Sequence, residues 1–143
     1  MLTPYVYEVL KYQGKQMNAD DEAGRALLCQ CLVSISMADG ELDGREIATI
    51  VTIVEQATGN GISADDVVVA SIELGDWEDF RNSLSVLAKP LEKAFRLQIL
   101  KACILVGRAD SMMIDAEIER IYGVAEALSF NRMETDEQFK VIK

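Results

Sequence analysis

Residues 37–47, "MADGELDGREI", place four carboxylates and two glycines at the end of an apolar stretch and run straight into another. Whether this is a calcium loop, a catalytic site or a turn between helices decides how the flanking segments are read. An EF-hand loop takes oxygen ligands at its first, third and fifth positions, a glycine at the sixth and a bidentate glutamate at the twelfth. Counted from Asp39, the chain supplies Asp39, Glu41, Asp43 and Gly44, but the twelfth position is Ile50. The residue that would close the coordination shell belongs instead to an apolar stripe. A helix start explains more: Asp39-Gly40 makes a turn, Asp43 is a natural N-cap, and Glu46 three residues later completes a capping box.

Outward from this turn, apolar residues recur mostly at helical spacing, and the expected fold is all-α. A short helix is expected over about residues 4–13, and a long one over about 18–37 with Leu28, Cys31, Leu32 and Ile35 inward. Ile47, Ile50, Val51, Val54 and Ala57 then mark a third, stopped by "TGNG". Ser63 in "SADD" caps a fourth. Its "VVVASI" also suits a strand, but no other run offers a pairing partner, so helix is preferred. A fifth starts near Asp76 and carries Trp77, Phe80 and Leu84. Pro90 opens a sixth, ending near Gly107, apolar on nearly all sides and therefore central. A seventh covers about 117–128, and Thr135 with Gln138 reads as a capped terminal turn.

The stretch at 37–47 has a second copy, "RADSMMIDAEI", 71 residues later at 108–118. Asp39 maps to Asp110, Glu46 to Glu117, Ile47 to Ile118 and Ile50 to Ile121, and upstream Leu28 maps to Ile99 and Ile35 to Val106. Internal repeats near 27–58 and 98–129 are each an apolar helix, an acidic turn and a second helix. Neither buries its stripe alone, so the two are expected to pack about a pseudo-twofold axis within a single domain spanning 1–143. The copies differ. Ser111 replaces Gly40, Met112 and Met113 replace Glu41 and Leu42, and Ile114 stands where Asp43 would cap, with Asp115 available one position later.

Composition narrows function. With half of its 143 residues hydrophobic, the chain can build one core, and a net charge of −10 repels phosphate backbones, so nucleic acid is not an expected partner. No stretch approaches the roughly 18 uncharged apolar residues of a membrane span, and no leader pattern opens the chain, so it reads as soluble and cytoplasmic. Histidine is absent, which removes Ser-His-Asp and Cys-His catalysis and imidazole-dependent zinc sites. Cys29, Cys31 and Cys103 read as reduced, buried thiols.

The paired motifs, followed by "IYGVAEALSF" at 121–130, resemble the tellurite-resistance TerB-like family, in which two Ala/Ser-Asp-Gly turns, each with a glutamate seven residues after the aspartate, introduce paired helices. The resemblance covers roughly residues 20–132. It implies a compact bundle of about seven helices built from two pseudo-symmetric helix-turn-helix repeats, no established enzymatic activity, a bacterial stress-response role connected with tellurite, and metal association through clustered acids. Carried over, the motif acids are Asp39, Glu46, Asp110 and Glu117, with Glu41 and Asp43 as further candidate ligands. Carboxylates without imidazole or available thiolate favour a hard ion, Ca2+ first, then Mg2+ or Mn2+. Charge is also segregated: residues 89–108 carry Lys89, Lys93, Arg96, Lys101 and Arg108 against Glu92, while 65–79 carry six acids and no base. That pattern fits solvated helix faces, or a protein partner or self-association. A pure interaction module without metal and a carboxylate-metal hydrolase are the alternative readings.

Overall fold

The computed structural model describes residues 22–109 and 113–142. The expected helix at 4–13 and the start of the next lie outside them, as does Asp110. Seven α-helices follow one another among the described residues, without a β-strand: α1 Glu22–Ser36, α2 Gly44–Thr58, α3 Ala64–Glu73, α4 Trp77–Leu87, α5 Lys93–Ala109, α6 Asp115–Ala127 and α7 Arg132–Val141. A 3-10 turn, Met37–Asp39, joins α1 to α2.

Most helix starts are set by short-range polar chemistry. The hydroxyl of Ser63 accepts the amide of Asp66, whose carboxylate accepts the amide of Ser63. Asp76 caps α4 through the amide of Asp79. The "VVVASI" run is helical, as the missing pairing partner implies. Two starts differ from the expectation. The last helix is capped not at Thr135 but four residues earlier, where Asn131 and Glu134 form the capping box. Thr135 is buried in the first turn and its hydroxyl donates to the carbonyl of Asn131, so a hydroxyl three before a glutamine was read as a cap when it serves inside the helix. Similarly, α5 begins at Lys93 rather than Pro90, because 88–90 form a turn that buries Leu91.

The centre of the molecule is α5, which packs against α1, α2, α6 and α7. Leu28, Cys31, Leu32 and Ile35 of α1 and Ile99, Leu100, Cys103 and Ile104 of α5 are all buried in one cluster. Helix α1 also meets α2, α3 and α6. The three thiols are buried and unbridged.

Close packing makes one glycine indispensable. A Cβ on Gly123 of α6 would lie 2.7 Å from Cζ2 of Trp77. Gly123→Ala gains about 1 kcal/mol of helix propensity but forces the indole to move, which costs about 1–3 kcal/mol. Net destabilisation is the expected result, read as a lower urea midpoint by circular dichroism. Gly107→Ala is the control: its Cβ meets only the flexible ends of Met113 and Ile121, at 3.0–3.2 Å, and is expected to be nearly neutral.

Candidate functional site

At the first acidic turn the backbone reverses at Gly40, whose φ of +98° is the left-handed region that glycine adopts without strain and whose amide donates to the carbonyl of Met37 at 2.9 Å. Asp39 Oδ1 accepts the amide of Glu41 at 3.1 Å, stiffening the turn. Asp43 then caps α2: its Oδ1 accepts the amide of Glu46 at 2.8 Å, while Glu46 Oε1 accepts the amide of Asp43 at 3.1 Å. Ile50 is buried in the stripe of α2. Asp43→Ala removes the acceptor and is expected to lower stability by about 1 kcal/mol in urea unfolding, whereas Asp43→Asn, an equally good cap, should change it little.

The second turn is built differently. Ile114 occupies the N-cap position of α6 and makes no side-chain cap bond, so only the returning half of the box exists: Glu117 Oε1 accepts the amide of Ile114 at 3.2 Å. The expected contribution of Asp115 as cap is not made, because Asp115 is already the first helical residue. Glu117 is 7% exposed, whereas Asp39, Glu41 and Asp43 stand at the surface and Glu46 is half-buried. The Met37–Asp39 turn packs against α6. Glu46 lines a small cleft with Ser36, Arg45, Thr49, Val106 and Ala109, where α5 ends.

The structure therefore joins Asp43 to Glu46, keeps Asp39 in its own turn, and places Glu117 on the neighbouring helix. Among the described residues no three acidic or cysteine side chains gather closely enough to hold a metal ion. One oxygen of each of Asp39, Asp43, Glu46 and Glu117 accepts a backbone amide. A carboxylate has further lone pairs, so these bonds position an oxygen pair without exhausting it.

Sequence reasoning missed what fastens the helices at their carboxyl ends. Arg120 Nη1 donates to the carbonyl of Ser34 at 2.8 Å, and its guanidinium lies 5.0 Å from the ring centre of Trp77. Arg96 Nη1 donates to Leu128 O at 3.2 Å, and Arg108 Nη2 to Phe139 O at 2.6 Å. Each cation meets the carbonyl-rich end of a different helix, where the dipole favours positive charge. Arg96 and Arg108 belong to the basic run at 89–108, yet the structure turns both inward. Tyr122 hydrogen-bonds Asp136, and Arg132 covers its ring at 4.1 Å, tying α7 to α6. The spacing of twelve between these arginines was visible in the chain, but not which carbonyls they would meet.

Among the described residues, no helix is long and apolar enough to cross a membrane. No curated protein and no solved structure matches the chain. A family model described as tellurite resistance protein TerB matches residues 28–138, a span that runs from within α1 to within α7. With an all-helical fold and most of its length inside that match, the chain belongs to the tellurite resistance protein TerB family.

Proposed function

We propose that the protein is a non-enzymatic domain related to tellurite resistance, a cytoplasmic stress-response component that works by binding: a protein partner, and a hard divalent cation, calcium ahead of magnesium or manganese, at its acidic corner. The observation that carries the cation reading is the small cleft that Glu46 lines together with Ala109 at the end of α5. The pattern of neighbours supports it. Helix α2 packs on α5 and α6 packs on α1; α3 packs on α1 and α2, and α7 on α5 and α6. Those pairs are what two related three-helix halves meeting about an approximate twofold would make, an arrangement in keeping with acidic turns at related corners.

A cation there neutralises carboxylates that otherwise repel one another across the seam between halves. The expected result of titrating metal-stripped protein calorimetrically with calcium, magnesium and manganese is binding that Asp39→Asn and Asp110→Asn each weaken. Asp43→Asn separates ligation from capping, because the amide keeps the cap. Absence of heat at millimolar cation in low salt removes the cation from the proposal.

Catalysis is disfavoured by the available groups. The chain has no histidine, and burial pushes the thiols up, Cys29 to about 12, leaving no thiolate at neutral pH. Manganese-dependent phosphoester turnover that disappears in Asp39→Asn would instead establish a hydrolase.

A further inference from the structure

Helix α3 carries two apolar stripes. Val67, Ala70 and the adjoining Leu74 enter the core. On the opposite side Val68, Val69 and Ile72 are 39%, 46% and 76% exposed. Positions 68 and 72 are four apart and 69 and 72 three apart, so the three side chains form one ridge. Local preference does not account for them. β-branched residues are poorer helix formers than lysine, glutamate or alanine, and a solvent-facing position gains nothing from their packing. A helix apolar on both sides is one that is covered on both sides.

The chain along and just beyond the ridge is acidic, although Arg25 of α1 shares a cleft with Asp66. Asp65 and Asp66 stand exposed at its start, and Glu73, Asp76, Glu78 and Asp79 follow at its end, with no base between 65 and 79. The next cation, Arg81, already faces Glu126 at 3.4 Å and Glu78 at 4.0 Å. We infer that the outer face of α3 is a docking site for a helical segment of another protein, one whose apolar stripe is bordered by lysine and arginine. A convex ridge packs into the groove of a second helix, and the acid rim both steers and selects a basic border. A second copy of this chain fits less well. Pairing α3 with α3 sets acid against acid, the whole chain carries −10, and the exposed groove between α2 and α5, floored by Ile53, Ala57, Ala102 and Leu105, offers a single cation, Lys101. Anionic membranes and nucleic acids are repelled by the same rim.

This inference rests on the proposal that the protein acts through a partner, and the tests separate the two. The first uses full-length protein and a labelled synthetic peptide of leucine and lysine arranged as an amphipathic helix, read by fluorescence anisotropy. The expected result is saturable binding that weakens roughly tenfold in Ile72→Ser, an exposed substitution with unchanged circular dichroism, and similarly for a scrambled peptide of the same composition. Equal affinity for the scrambled peptide, or unchanged affinity in Ile72→Ser, overturns it. A dimer in sedimentation that Ile72→Ser dissociates also overturns it, giving the face to a second copy. The second test places a photo-crosslinking residue at position 72 or at position 105 in cells. Adducts at 72 with a protein bearing a basic amphipathic helix support the site. Adducts at 105 alone overturn the α3 surface while leaving the partner proposal standing, and adducts at neither position overturn both.

Discussion

Ile50→Glu is expected to unfold the protein instead of completing a calcium loop. The substitution supplies the twelfth-position glutamate that the stretch from Asp39 lacks, so a latent EF-hand would gain calcium affinity. Ile50 is wholly buried, in the core cluster that also holds Val54 and Ile35. A carboxylate there has no paired cation, and burying it uncompensated costs several kcal/mol on top of the lost apolar packing. That sum rivals the whole stability of about 5–15 kcal/mol of a typical domain. Loss of cooperative thermal unfolding, unrelieved by millimolar calcium, is the result to look for. A folded variant that binds calcium would reverse the reading of the turn.

The second large effect is alkaline. Burial raises the thiol of Cys29 from the ordinary 9.0 to about 12 and pushes those of Cys31 and Cys103 well up too, with Cys103 and Cys29 adding repulsion at Cys31. Above pH 9 the unfolded chain releases these three protons while the folded chain keeps them. The folded state therefore binds more protons, and stability falls as pH rises. It is complete below 9 and erodes through the interval up to the folded values. Steep loss of the urea midpoint between pH 9 and 11 is expected. Replacing all three cysteines with alanine lowers stability at pH 7 through lost packing but flattens this descent, so the two curves should cross. Parallel curves would mean that the thiols do not govern alkaline unfolding.

Much of the fold was legible because helix starts in this chain are written locally. Asp43 with Glu46, Ser63 with Asp66 and Asp76 with Asp79 each announce themselves within four residues. The centrality of α5 followed from its lack of a polar side. The start of α7 was misplaced because Asn131 with Glu134 and Thr135 with Gln138 offer the same signal in adjacent registers, and only burial of Thr135 decides between them. The ambiguity of "VVVASI" and the exposed ridge of α3 have one origin, since β-branched residues occupy both faces of a helix. At the candidate site, sequence spacing identified the acids, but their individual bonds depend on the reversal at Gly40 and on which residue precedes each helix. Arginine 96, 108 and 120 were illegible for a deeper reason: a carbonyl that accepts from a side chain dozens of positions away leaves no mark in its own neighbourhood.

The bond from Arg120 to Ser34 reaches across 86 positions of the chain. At a synthesis rate of about 5–20 residues per second, the ribosome needs roughly 4–17 s to travel from one to the other. Throughout that interval the carbonyl of Ser34 lacks its arginine donor. A newborn chain must wait for its late portion before its early portion is sealed, so a premature stop after α5 would release a product unfinished at both ends.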